Sequence, residues 1–340
     1  MHLPDFTARY LPLVEDALRA AVANDDPALQ AHYGMMRYHL GFTDADFRPA
    51  QVNTGKRVRP LLCLLCCAAA GGKPEQAIPA AAAVEILHNF SLVHDDIEDN
   101  SPTRRHRPTV WALWGCAQAI NVGDALFALA RRTLDDLTQK GVPPERILAA
   151  GRIFDDTCLA LTEGQHLDMV FEKRMEVTVA EYMRMIEGKT AALLATSAEL
   201  GALVAQADLP RQAAFRRFGR ALGLAFQIQD DVLGLWGDEV VTGKSAASDI
   251  LQKKKTLPIV YALSQDGAAA ARLRALYAGA PFTAEDVPTV QALLAETGAR
   301  EFAENRSRES HTEAMAALAA TGAEYPALQE LLISLLQRAQ

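Results

Sequence analysis

An apolar helix that runs into carboxylates constrains this chain more than any other stretch. Residues 84–108 read VEILHNFSLVHDDIEDNSPTRRHRP. Val84, Ile86, Leu87, Phe90, Leu92 and Val93 make the approach apolar. At about 100° per residue, His88, Asp95 and Asp99 fall on one helical stripe, with Asp96 beside it. Carboxylates gathered at the end of a buried helix repel one another and lose hydration. A divalent cation offsets that cost. Oxygen-only donors point to a hard ion, and Mg2+ takes a few carboxylates together with substrate phosphates. Arg104, Arg105 and Arg107 follow at once, and guanidinium forks fit phosphate oxygens. Taken alone, the segment reads equally well as a solvated helix end with local ion pairs.

A second stretch shifts that balance. FQIQDDVLGLWGD, residues 226–238, also places a carboxylate pair at the end of an apolar helix. Gln227, Asp231, Gly234 and Asp238 share its stripe, with Asp230 adjacent. Two such segments in one helical chain can face each other across a cleft and hold several Mg2+ ions. The basic residues cluster in a matching way. TGKRVRP at 54–60 puts Lys56 and Arg59 three residues apart at the start of an apolar helix, where free N–H groups attract anions. Lys189 and Thr190 follow Gly188, where the helical pattern of 177–204 is interrupted, and a kink there frees carbonyls. TGKSAASDILQKKKTLP at 242–258 brings Lys244, Asp249, Lys253, Lys254 and Lys255 in a loop able to close over phosphates. Each segment has a bland counterpart: a charged turn, an ordinary kink, an exposed loop.

The rest of the pattern is helical. Apolar periodicity marks helices over 5–23, 28–40, from about Ile78, and over 109–137, with turns at 24–27, 71–74 and 142–146. Aromatics are only 6% and β-branched runs are rare, so an all-α fold is expected. With 50% hydrophobic and 22% charged residues, the chain can bury a sizeable core, as one large domain or two. A net charge of −8 argues against a general nucleic-acid binder. Cys63, Cys66 and Cys67 sit in an apolar run and read as buried thiols. The sequence shows neither a charged leader nor an apolar run of about 18 residues, which predicts a soluble, cytoplasmic protein with no membrane span.

As an ordered set, TGKRVRP, HNFSLVHDDIEDNSPTRR, GQHLD, Lys189-Thr190, FQIQDDVLG and TGK…SDILQKKKTLP resemble the motifs of the trans-isoprenyl diphosphate synthases, or polyprenyl synthetases. The likeness covers about residues 30–265, with further helices over 266–340. It implies a single all-α domain, a bundle of long helices around a deep central cavity, and a homodimer. It implies head-to-tail condensation of isopentenyl diphosphate with an allylic diphosphate. By that resemblance Asp95, Asp96 and Asp99 would ligate Mg2+, with Asp230 and Asp231. Lys56, Arg59, His88 and Arg105 would hold isopentenyl diphosphate. Arg104, Lys189, Lys244 and Lys254 would hold the allylic diphosphate, and Gln227 and Thr190 would face the developing cation. The positions four and five before the first aspartate commonly form the cavity floor. Here they are Ser91 and Phe90, a pairing most like that of the geranylgeranyl producers, with farnesyl diphosphate as the alternative product. Gly234, His106, Trp111 and Ala247 depart from the family pattern. A terpene cyclase shares the metal logic but has no need of Lys56, Arg59 and His88. A non-catalytic subunit would have lost some of the acidic residues.

Overall fold

The structure, a computed structural model, describes residues 1–50, 52, 55, 57–237 and 248–336. Lys56, Asp238, Lys244 and Ala247 therefore lie outside the described residues. Among the described residues the regular structure is helical apart from one short β-hairpin with two-residue strands and an isolated bridge, Thr43 with Pro49. None of its helices is long and apolar enough to cross a membrane.

Residues gather into two compact units. Unit 1 comprises 1–158, 196–215 and 323–330, and unit 2 comprises 159–195, 216–322 and 331–340.

In unit 1, α1 (Leu3–Ala21) buries Phe6, Tyr10, Val14 and Leu18, an i, i+4 stripe. Helix α2 (Gln30–His39) leads by a loop to α3 (Val58–Ala69), which buries Cys63, Cys66 and Cys67. Burial pushes all three thiols up, Cys67 to about 12, so they stay protonated. Helix α4 (Ile78–Glu98) is the spine of the unit, buried from Ile78 to Leu87 and opening only near its acidic end. The continuous helix expected over 109–137 is instead two, α5 (Val110–Trp114) and α6 (Cys116–Asp135). They break at Gly115, whose φ of +85° a side-chain-bearing residue rarely adopts.

Helix α7 (Pro144–Lys173) runs on from unit 1 into unit 2, and α8 (Val179–Ile186) starts with a Thr178–Glu181 capping box. A π turn over Glu187–Ala191 joins α8 to α9 (Ala192–Val204). Helix α10 (Leu209–Trp236) ends in the second acidic segment. The remaining helices span Ser248–Leu251, Leu257–Ser264, Ala268–Ala278, Val287–Glu296, Ala299–Ala320 and Pro326–Leu336. One core of unit 2 packs Phe171, Tyr182, Met185, Leu224, Ile228, Val232 and Leu257. A second packs Leu235, Ile250, Ile259, Leu273, Val290 and Leu294.

Candidate active site

In unit 1 the acidic end of α4 separates its carboxylates by one turn of geometry. Asp95 is half-buried and Asp99 exposed, both where the helix ends. Asp96, about 100° further round, is turned inward and 2% exposed. Its Oδ1 accepts from Arg104 Nε at 2.8 Å. Burial pushes its carboxyl up to about 6, against the opposing pull of Arg104. Asp96 thereby anchors Arg104.

The arginines after α4 form a hairpin, with β1 (Thr103–Arg104) paired to β2 (Arg107–Pro108). Its two-residue loop, Arg105–His106, has φ of +52° and +61°. A tight hairpin demands positive φ at both places, which explains why glycine is usual where this chain has His106. The loop sets the Arg105 guanidinium over Gly55, where an added Cβ would lie 3.5 Å from it. Trp111, also unusual by sequence, donates from Nε1 to the Ser101 carbonyl at 2.9 Å and holds the approach to the hairpin. Arg107 is structural: it donates to the Tyr38 and Thr43 carbonyls at 3.2 and 3.0 Å and lies over the Tyr38 ring.

The basic segment divides in the same way. Arg57 is buried, ion-paired to Glu85 at 2.6 Å and Glu15 at 2.9 Å, and bonded to the Leu40 carbonyl. Arg59 remains beside His88. Burial, then Arg59, Arg105 and Arg104, hold the His88 imidazole well below its ordinary range. It is a neutral ring among cations, able to donate one N–H to an anion without adding charge. His39 joins this cluster. Its imidazole is pushed down to about 3 by burial, then by Arg104, Arg105, Arg57 and Arg107, and its buried Nε2 has no hydrogen-bond partner among the described residues. Nothing in its aromatic and methionine-rich surroundings marked it in the sequence.

In unit 2, Lys189 and Thr190 lie on the π turn. Lys189 Nζ pairs with Asp168 at 2.5 Å, and Thr190 Oγ1 donates to Gln227 Oε1 at 2.7 Å. The turn is held by close backbone approach. A Cβ on Gly164 would fall 2.2 Å from the Lys189 nitrogen, and one on Gly188 would fall 2.6 Å from the Ala160 oxygen. Gln227 in turn donates to Asp231 Oδ1 at 3.0 Å, so its amide is fixed from both sides.

Asp231 is the second aspartate turned inward. It is 3% exposed, and its Oδ2 accepts from Tyr182 Oη at 2.5 Å and from the Leu257 N–H at 3.1 Å. Burial pushes it up to about 7, opposed by those three hydrogen bonds. Both of its oxygens accept hydrogen bonds from the protein. Tyr182, which orients it, belongs to no motif of the sequence. Asp230 stays exposed at the helix surface. Gly234 has its own reason, since a Cβ there would fall 2.0 Å from Asp249 Oδ2, placing a carboxylate beside the position where the family pattern commonly has one. Lys253 donates to the carbonyls of Leu276, Tyr277 and Gly279, and Lys255 to those of Phe171 and Glu172. Lys254 is exposed, with no side-chain hydrogen bond among the described residues.

This donor set fits a hard cation. Asp95 and Asp99 sit at the negative end of the α4 dipole, where a nearby positive charge is favoured. Among the described residues no three His, Cys, Asp or Glu side chains form a ready metal cage. Mg2+ is commonly held in that open manner, by one or two carboxylates with waters and substrate phosphates.

The sequence pattern of the family described as polyprenyl synthetase matches residues 47–294. A geranylgeranyl diphosphate synthase of Mycobacterium tuberculosis is 47% identical over 285 residues, covering 84% of this chain and 80% of its own. A (2E,6E)-farnesyl diphosphate synthase of Mycobacterium bovis is 41% identical over 314 residues, covering 91% of this chain and 85% of its own. The crystal structure of a geranylgeranyl pyrophosphate synthase from Corynebacterium glutamicum, complexed with isoprenyl diphosphate and magnesium, superimposes with a TM-score of 0.83 at 27% identity, over 99% of this chain and 100% of that one.

Proposed function

The chain belongs to the polyprenyl synthetase family and is a trans-isoprenyl diphosphate synthase, and within that class we propose that it extends an allylic diphosphate with isopentenyl diphosphate to geranylgeranyl diphosphate. The observation that carries the two-substrate reading is the neutral His88 set among Arg59 and Arg105, behind the acidic end of α4. A cyclase binds one diphosphate and has no use for this second group of phosphate donors.

Each residue then has a task. Arg59, His88, Arg105 and Lys56 hold isopentenyl diphosphate, guanidinium forks giving direction and the neutral imidazole a donor. Arg104, Lys189, Lys244 and Lys254 hold the allylic diphosphate. Asp95, Asp96 and Asp99 in unit 1, and Asp230 and Asp231 in unit 2, are the carboxylates that hold Mg2+, Asp96 and Asp231 each also accepting a hydrogen bond from the protein. When bound, Mg2+ neutralises charge building on the leaving diphosphate. Thr190 and Gln227, with carbonyls of the π turn, face the allylic cation, and apolar walls exclude water from it. The double bond of isopentenyl diphosphate attacks the cation, one carbon–carbon bond forms, and the released diphosphate takes the proton. On this reading the enzyme works as a cytoplasmic homodimer.

The product length rests on Phe90 and Ser91, one large and one small residue just before Asp95. Farnesyl diphosphate is the second reading, favoured by the similarity to the mycobacterial farnesyl diphosphate synthase. Incubation with Mg2+, isopentenyl diphosphate and each allylic diphosphate in turn, with products identified by mass, tests the assignment. A dominant geranylgeranyl product supports it, a dominant farnesyl product selects the second reading, and a cyclic hydrocarbon or no product refutes both.

A further inference from the structure

One face of α10 grips the π turn at three places. Gln227 Oε1 accepts from Thr190 Oγ1 at 2.7 Å. Gly223 admits the backbone, since a Cβ there would lie 2.6 Å from the Ala191 Cα. Arg220 reaches Glu187, the first residue of the turn, with both arms of its fork. Its Nε donates to Glu187 Oε1 at 2.6 Å and its Nη2 to Oε2 at 2.9 Å. Residues 220, 223 and 227 are spaced i, i+3 and i+7, so they share one helical stripe. A looser contact, 3.5 Å, joins Arg220 Nη1 to Glu313 Oε1 on the helix Ala299–Ala320.

A π turn holds one residue more than the α-helix that it interrupts, and such turns occur frequently at functional sites. Its upkeep is a matter of register. Were the turn to relax toward α geometry, Lys189 and Thr190 would rotate about the helix axis and leave Asp168 and Gln227. Of the three grips, one is close packing and one a neutral hydrogen bond. The Arg220 fork is bidentate and charge-assisted, which gives it direction as well as strength. Both partners are part-exposed, at 38% and 45% of their side-chain surface, so the pair adds little to global stability. What it adds is position.

We propose that Arg220 is a positioning residue for the reaction: through Glu187 it sets the register of the π turn on α10, and with it the alignment of Lys189 and Thr190. The proposal rests on the prenyl-transfer function above and gives a task to two residues outside its substrate contacts.

The test compares wild type with Arg220→Met, Arg220→Lys, Glu187→Gln, the Arg220→Met/Glu187→Gln double variant and Glu313→Gln. Each is assayed with Mg2+, isopentenyl diphosphate and the allylic diphosphate that wild type extends fastest. Arg220→Met and Glu187→Gln are each expected to lower kcat by on the order of 10-fold and to raise KM for the allylic substrate. KM for isopentenyl diphosphate should not move, because Arg59, His88 and Arg105 belong to unit 1. Melting temperatures should stay close to wild type. Arg220→Lys keeps the charge but loses the fork, so it should recover only part of the rate. The double variant should be no slower than the slower single one, since both remove the same contact. Glu313→Gln should match wild type. Wild-type kinetics in Arg220→Met or Glu187→Gln overturn the proposal while leaving the prenyl-transfer reading intact. So do losses that multiply in the double variant, an equal loss in Glu313→Gln, or equal rises in both KM values. Absence of any elongation by the wild-type chain overturns the functional reading, and this inference with it.

Discussion

Replacing Gly164 by alanine tests how the π turn is held. The added Cβ would lie 2.2 Å from the Lys189 nitrogen, 2.8 Å from the Gly188 carbonyl carbon and 2.9 Å from the Lys189 Cα. All three are backbone atoms that cannot rotate away. Carbon contacts relax at about 3.5–4.0 Å, so α7 and the turn must part by more than an ångström. Overpacking of this kind costs about 1–3 kcal/mol, and rigid backbone on both sides puts this case at the upper end. Alanine returns about 1 kcal/mol of helix propensity. The net expectation is a loss of about 2 kcal/mol. At roughly 2–4 °C per kcal/mol, the melting temperature should drop by several degrees. The turn carries Lys189 and Thr190, so its displacement breaks their alignment with Asp168 and Gln227. A misplacement of about 1 Å costs on the order of 100-fold in turnover. Gly151→Ala in the same helix is the control, because its Cβ would meet the movable end of the Arg131 side chain first. Thermal unfolding and steady-state kinetics on the folded fraction read both effects. Wild-type stability and turnover in Gly164→Ala would refute the reasoning.

Other outcomes follow from the same geometry. Asp95→Ala or Asp99→Ala should lower turnover by on the order of 10²–10³-fold, the usual scale for losing a group that stabilises developing charge. Circular dichroism should be unchanged, and near-normal turnover at ordinary Mg2+ would remove these residues as ligands. Arg59→Ala should raise KM mainly for isopentenyl diphosphate, and a selective rise for the allylic substrate would show the two basic sets to be reversed. Asp231 stands at about 7 when folded against an ordinary 3.8, so the folded chain keeps a proton that the unfolded chain has released. Its contribution therefore falls as pH rises from about 4 to about 7, by at most on the order of 4 kcal/mol. Asp231→Asn should flatten the stability–pH profile across that window, and an unaltered slope would contradict the assignment.

Much of this fold was legible because burial writes a period into the sequence. The start of α4 at Ile78 and the break near Gly188 were both readable that way. What the period could not supply was the local cost of backbone geometry. Gly115 splits one apolar run into α5 and α6, and the break at Gly188 takes the form of a π turn rather than a kink. The acidic pairs show a second limit. A wheel puts neighbours about 100° apart, and in both pairs the second aspartate falls on the buried side. Which side is buried depends on the fold around it: Asp96 meets Arg104 of the hairpin that follows, and Asp231 meets the sequence-distant Tyr182 and Leu257. Tyr182 and His39 carry no motif, so they become visible only when the chain is folded.

The central claim is that two substrates are joined, and diphosphate release measured with and without isopentenyl diphosphate tests it most directly. Purified protein with Mg2+ and farnesyl diphosphate alone should release little diphosphate. Adding isopentenyl diphosphate should start release, one diphosphate for each five-carbon unit found in product. Rapid release from farnesyl diphosphate alone, unchanged by isopentenyl diphosphate, would contradict the account.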